Sequence, residues 1–287
     1  MEYNLEVNNL TASYAGSDFK LKDVSFNVPK GSIVGFVGEN GAGKTTTIHS
    51  ILNLLRIDGG SIKILGKEMD DQDIDIREKL GVVLDKSIFS PDITTKKLSR
   101  IMSNIYKQWD QNQFDMLVKK LNIPENKKIK EFSKGTTMKL SIAVAMSHGS
   151  QLLVLDEATS GLDPVVREQI LDLFLDFVED ESNSILISSH ITSDLEKIAD
   201  YITFIKNGKI ILTEKKDTLL YEYGIARCKT EQFKNVYKED IISHRKRGYQ
   251  TDVLVKDKSS FKKKYKDIVT DSISIDEVLL LLVNREG

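Results

Sequence analysis

The stretch GENGAGKTT, from Gly38 to Thr46, fits the pattern G-x-x-x-x-G-K-[ST] and decides how the rest of the chain is read. Gly38, Gly41 and Gly43 let backbone N–H groups curl round an anion, Lys44 supplies a positive charge, and the Thr45 hydroxyl suits magnesium. Asn40, Ala42 and Thr46 complete the candidate phosphate-binding set. The flanks agree with this reading. Ile33 to Val37 is a continuous apolar run that predicts a buried strand, and Ile48, Ile51, Leu52 and Leu55 follow at helical spacing. Strand, glycine loop and helix form the arrangement that places a phosphate at a helix N-terminus. A glycine-rich turn that matches by chance is the bland alternative.

A second segment, LLVLDEATSGLD from Leu152 to Asp163, begins with another apolar run, Leu152 to Leu155. It delivers Asp156 and Glu157 to a strand C-terminus, where ligands gather in parallel α/β sheets. Asp156 suits a second magnesium contact and Glu157 suits water activation. Asp163 followed by Pro164 also reads as an N-cap with proline at the first helical position. Capping accounts for Asp163 without chemistry, but it leaves two adjacent carboxylates at a buried strand end unexplained.

With FSKGT from Phe132 to Thr136 between them, these segments resemble the nucleotide-binding subunit of an ATP-binding cassette (ABC) transporter, over about residues 2 to 215. The resemblance implies an α/β fold: a P-loop ABC ATPase core with a helical subdomain, here followed by a small α+β C-terminal appendage. It implies ATP and Mg²⁺ as cofactors and an active site shared between two subunits, in a homodimer or a heterodimer. Ser133 and Gly135 keep the signature pattern, while Lys134 stands where glycine is usual and Thr136 where glutamine is usual. Ser133, Gly135 and Thr136 would reach the γ-phosphate of the opposite subunit through a hydroxyl, backbone N–H groups and a helix N-terminus. A polar N-cap on an amphipathic helix from about Thr136 to Ser147 is the structural alternative for Ser133.

The same resemblance makes His190, just after the predicted buried strand Ile185 to Ser188, the switch histidine that senses or stabilises the γ-phosphate. It assigns Ser160 to Asp163 to the loop that crosses the dimer interface, and Tyr14 to stacking on adenine. An ordinary strand-end tyrosine is the alternative for Tyr14. Two positions depart from the family pattern. Asp85 replaces the usual glutamine after the strand Val82 to Leu84, and Ala158 replaces the proline that commonly follows the catalytic glutamate. A carboxylate is a good hard ligand for Mg²⁺. Asp85 is therefore a third metal candidate beside Thr45 and Asp156, against a solvent-facing Asp85 paired with Lys86.

Composition bounds the reading. A chain of 287 residues, 40% hydrophobic, suffices for one large α/β domain, 1–214, and a smaller one, 215–287. A net charge of −2 gives no electrostatic reason to expect nucleic-acid binding. Cys228, the lone cysteine, cannot form an internal disulfide, which suits a reducing compartment. Charged and polar residues interrupt MEYNLEVNNL, so no secretory leader is expected there. No apolar run reaches the roughly 18 residues a membrane span needs. Transport then requires an integral membrane subunit, with this chain peripheral on the cytoplasmic face of the membrane.

The expected docking segment is Ser87 to Lys130, within a helical subdomain of about 87–147. Leu98, Ile101, Met102 and Ile105 recur there at helical spacing, as do Phe114, Leu117, Val118 and Leu121. Trp109 is expected to pack rather than recognise. Beyond Thr213 the apolar runs Ile225 to Cys228 and Thr251 to Val255 suggest strands. A terminal helix from about Ile275 carries Ile275, Val278, Leu279 and Leu282 on one face and needs a covering surface, for which subunit assembly is the expected source. The basic groups at Arg245 to Arg247 and Lys262 to Lys264 read as a solvated face. The whole pattern is most similar to exporter ATPases of Gram-positive bacteria, including antimicrobial-peptide and phenol-soluble modulin exporters and the Ytr group. A soluble ABC protein acting on ribosomes or DNA, or a regulatory or immunity member, is the alternative.

Overall fold

The computed structural model describes residues 2–68, 73–86 and 88–283. Met1, Ser87 and Gly287, which bound segments named above, lie outside them. The chain opens with β1 (Tyr3–Ser13), β2 (Lys20–Pro29), β3 (Ile33–Val37), α1 (Lys44–Ile51), β4 (Gly59–Ile64), β5 (Lys67–Glu68), α2 (Ile74–Glu78) and β6 (Leu80–Val83). The helices α3 (Thr95–Ile105), α4 (Gln111–Lys120) and α5 (Lys134–Ala145) precede β7 (Leu152–Asp156). Then come α6 (Pro164–Val178), β8 (Ser184–Ser188), α7 (Thr192–Ile198), β9 (Tyr201–Lys206) and β10 (Lys209–Lys215). The final part comprises α8 (Lys216–Tyr221), β11 (Gly224–Lys229), α9 (Thr230–Phe233), β12 (Ser243–Arg247), β13 (Gln250–Val255), α10 (Lys258–Lys264), β14 (Val269–Asp271) and α11 (Ile275–Val283).

The central sheet runs β10-β9-β3-β8-β7-β6, with β9, β3, β8, β7 and β6 parallel and β10 antiparallel at the edge. Every residue of β3, β7 and β8 is buried, as expected for strands covered on both faces. One face carries α1 and the antiparallel sheet β2-β1-β4-β5, whose Leu5, Val7, Leu10 and Phe26 share a core with Ile48, Ile51 and Phe36. The other face carries α3 to α7. Since β3, β7 and β8 are parallel neighbours, their C-terminal ends lie side by side, and the candidate residues follow from those ends.

Within the helical region, Phe114, Leu117, Val118 and Leu121 are buried together, as their spacing predicts. The residues spaced for a helix at Leu98, Ile101, Met102 and Ile105 all lie in α3 and differ in burial. Leu98 is buried and Met102 packs against the core, but Ile101 and Ile105 are exposed. Trp109 packs on Phe114 with ring centroids 5.0 Å apart, and its Nε1 donates to Gln111 Oε1 at 3.0 Å. Helix α5 begins at Lys134 rather than Thr136, because Ser133 itself is the N-cap and its Oγ accepts from Thr136 N.

The C-terminal strands form a separate antiparallel sheet, β12-β13-β11-β14. Its two faces differ in their company. Cys228, Val253, Val255 and Phe261 form a local core, whereas Ile225 and Leu254 join the large core under the central sheet. The expectation that α11 needs another subunit to cover it is corrected. Ile275, Val278, Leu281 and Leu282 are buried against α7, β12 and β13 of the same chain, while Leu279 is partly buried and Leu280 stays exposed. Each buried aliphatic side chain of this kind contributes roughly 1.5–3 kcal/mol. The helix is also pinned at its start, where Ile275 N donates to Glu196 Oε1 of α7 at 2.8 Å.

Candidate active site

A cleft of about 650 Å³ opens at the C-terminal ends of β3, β7 and β8. On one side it is lined by Tyr14, Phe19, Asn40, Gly41, Gly43, Lys44, Thr45 and Thr46, and on the other by Asp85, Lys134, Asp156, Glu157, Ser160 and His190. Gly38 leaves β3 where a Cβ atom would lie 2.5 Å from the Ile205 carbonyl oxygen, so only glycine fits. Gly43 caps α1 at φ 116°, again a conformation that glycine adopts without strain. The loop therefore turns tightly enough to aim successive N–H groups at one point.

Lys44 is buried at the floor of this loop, and its Nζ donates to the carbonyls of Gly38 at 2.7 Å and Glu39 at 3.2 Å. Burial pushes its pKa below the ordinary lysine range, with the Glu157 and Asp156 carboxylates acting in the opposite direction. A phosphate placed here would supply the counter-charge that the loop withholds. Thr45 Oγ1 donates to Asp156 Oδ2 at 3.0 Å, and Ser188 Oγ donates to Asp156 Oδ1 at 2.5 Å. Ser188 also accepts from Glu157 N, through its hydroxyl at 3.1 Å and its carbonyl at 3.2 Å. Thus Ser188 fixes both carboxylate residues. The sequence signal for it was a polar side chain closing an otherwise apolar strand.

Glu157 sits at φ 56°, a left-handed conformation that a residue with a side chain adopts only at some cost. The turn lifts its carboxylate out of the β7 line, and Glu157 Oε2 meets His190 Nδ1. Both residues face the Lys44 loop across the cleft.

Tyr14 lines the opposite end, and its hydroxyl bonds to His49 Nδ1 at 2.8 Å. Phe19 is a second aromatic residue lining the cleft, one that sequence reasoning passed over. Asp85 does not pair with Lys86. Its Oδ1 accepts from Lys134 Nζ at 2.5 Å, so two of the positions that depart from the family pattern are in direct contact. The remaining candidates are elsewhere. Gly38 and Ala42 form the underside of the loop, and Ser133, Gly135 and Thr136 stand at the start of α5 outside the cleft lining. Asp163 also lies outside that lining, and its Oδ1 accepts from Val166 N at 3.1 Å as the N-cap of α6.

Among the described residues, no cluster of three His, Cys, Asp or Glu side chains can hold a metal by itself. Thr45 and Asp156 nevertheless converge as hard oxygen donors beside the phosphate loop, the limited protein set that Mg²⁺ takes when phosphate oxygens and waters complete its shell. The residues present therefore fit that ion. Among the described residues no helix is long and apolar enough to cross a membrane.

Comparison with known proteins is consistent with this geometry. The family model described as "ABC transporter" matches residues 21–160. The chain is 32% identical to the ABC transporter ATP-binding protein YtrB of Bacillus subtilis, over 76% of this chain and 74% of that protein. It is also 32% identical to the lantibiotic transport ATP-binding protein SrtF of Streptococcus pyogenes, over 74% of this chain and 91% of that protein. A solved ATP binding subunit of an ABC transporter superimposes with a TM-score of 0.68 at 26% identity, covering 75% of this chain and 91% of the other.

Proposed function

This chain belongs to the ABC transporter family as an ATP-binding, ATP-hydrolysing subunit, and from that premise we propose that it powers an exporter of antimicrobial or amphipathic peptides. The observation that carries the chemical part is the Glu157–His190 pair facing the Lys44 loop. Lys44 and the loop N–H groups hold the β- and γ-phosphates, Glu157 orients a water molecule and takes its proton, and His190 steadies the γ-phosphate side. Thr45 and Asp156 would hold Mg²⁺, which supplies charge neutralisation at the phosphates. Tyr14 stacks on the adenine, in the cleft that Phe19 also lines.

Ser133, Gly135, Thr136 and the Asp163 loop act in the site of a second ATP-binding subunit. Ser133 and Asp163 are exposed, Gly135 and Thr136 are half-buried, and all four lie outside the cleft of their own chain, which supports this. ATP then holds two subunits together head to tail, and hydrolysis releases them. An integral membrane subunit converts that closing into transport, with this chain lying against the cytoplasmic face of the membrane. The exposed Ile101 and Ile105 of α3 suit such docking. Residues 1–214 form the catalytic domain, with a helical subdomain at about 87–147, and residues 215–287 an accessory one. The peptide cargo rests on likeness to a lantibiotic transport protein.

The shared site has a direct test. Ser133→Arg leaves ATP binding to the isolated chain intact, abolishes ATP-dependent dimerisation in sedimentation, and lowers hydrolysis to background. Loss of ATP binding in the monomeric Ser133→Arg chain would rule out action in trans. Co-purification with an integral membrane protein separates a transporter subunit from a soluble relative acting on ribosomes or DNA.

Asp85 is assigned to the edge of the magnesium site. Asp85→Ala raises the Mg²⁺ midpoint for hydrolysis by about tenfold while ATP affinity stays with the phosphate loop. A Mg²⁺ titration that superimposes on wild type assigns Asp85 to its ion pair with Lys134 alone.

A further inference from the structure

Behind the Glu157–His190 pair lies a buried ionic contact that neither side chain's neighbours complete. Arg167, in the first turn of α6, donates from Nη2 to the Leu162 carbonyl at 3.1 Å, in the turn that follows Glu157 and Ser160. Its Nε points at Asp194 Oδ2, 3.9 Å away. Asp194 lies in the first turn of α7, whose N-terminus follows His190 directly, and its side chain is only 4% exposed. Both Arg167 Nε and Asp194 Oδ2 are buried and lack a hydrogen-bond partner. Buried polar atoms are almost always paired, so two that face each other just beyond bonding range mark an unfinished contact. A charge-assisted N–H···O bond forms at about 2.7–2.9 Å, which leaves this pair about 1 Å short of one.

We propose that Arg167 is a positioning residue for ATP hydrolysis: it ties the loop bearing Glu157 to the helix led by His190, and the contact with Asp194 closes when nucleotide fills the cleft. One guanidinium reaches both elements at once, because its fork presents separate N–H donors in a fixed plane. Leu162 O fixes the loop on one side and Asp194 fixes α7 on the other. The second tie between α6 and α7, Lys197 to Glu168 at 2.5 Å, is exposed at the surface and touches neither the loop nor His190. It therefore separates helix packing from positioning.

The inference rests on the roles given above to Glu157 and His190, so the experiment carries Glu157→Gln alongside. In the intact chain, Asp194→Asn and Arg167→Ala lower kcat by about 10- to 100-fold and leave the KM for ATP within about twofold of wild type. Arg167→Lys, whose single ammonium can serve only one of the two partners, recovers part of that loss. Lys197→Met leaves kcat unchanged, whatever it does to the thermal midpoint. If Arg167→Ala does not fold, the near-isosteric Asp194→Asn alone decides. Wild-type kcat in folded Asp194→Asn overturns the proposal, as does a loss in Lys197→Met equal to that in Asp194→Asn. Near-normal turnover in Glu157→Gln instead removes the roles on which it rests.

Discussion

Phosphate release by the Glu157→Gln chain falls by about 10² to 10⁴, the range lost with a general base, while ATP binding persists and a closed dimer accumulates. The amide keeps the size of the side chain but cannot take a proton from water. The backbone geometry is set by the Ser188 bonds to Glu157 N rather than by the carboxylate, so the substitution leaves the turn in place. Steady-state phosphate assays and ATP-dependent sedimentation report the two halves of the result. Hydrolysis near the wild-type rate would remove Glu157 from the role of base.

The second large effect belongs to Lys44. Lys44→Ala weakens ATP binding by about 10- to 100-fold, the equivalent of losing one charged hydrogen-bonding partner. Because burial has already lowered the lysine pKa, its ammonium lacks full compensation until phosphate arrives. Ligand-induced stabilisation reads this directly: ATP at a fixed concentration raises the thermal midpoint of the wild type and much less that of the variant. An undiminished shift would mean that phosphate recognition lies elsewhere in the cleft.

The contrast between Glu157 and Arg167 marks how far the sequence was legible. Glycine loop, apolar strands and terminal carboxylates are local patterns, and β3, β7 and β8 appear where those patterns place them. Asp163 before Pro164 likewise reads as a cap and is one. What stayed hidden were meetings between distant segments. Asp85 and Lys134 were each singled out on their own, but nothing in the sequence pairs them, and their contact spans 49 positions. Ser188 holds Asp156 only because β7 and β8 pair in parallel and in register. The stripe on α3 was legible as a helix but its cover was not: helical spacing says which residues share a face, not how much of that face a neighbour covers, and Ile105 is left in solvent. On α11 the apolar face was legible and its cover was not, since α7 lies far upstream.

The way α11 is seated has a consequence for the order in which the molecule assembles. Ile275 meets Glu196 across 79 positions of sequence, and the side chains of α11 belong to the same core as Leu195 and Ile198 beneath His190. During synthesis the phosphate loop, β7 and β8 are all made before this layer exists. Contacts closed over such long separations form late, after the chain entropy between them has been overcome. Until β11 to β14 have folded and carried α11 into place, the face of α7 that α11 covers is open to water. The residues of the phosphate loop, β7 and β8 are thus made well before the layer that packs against α7.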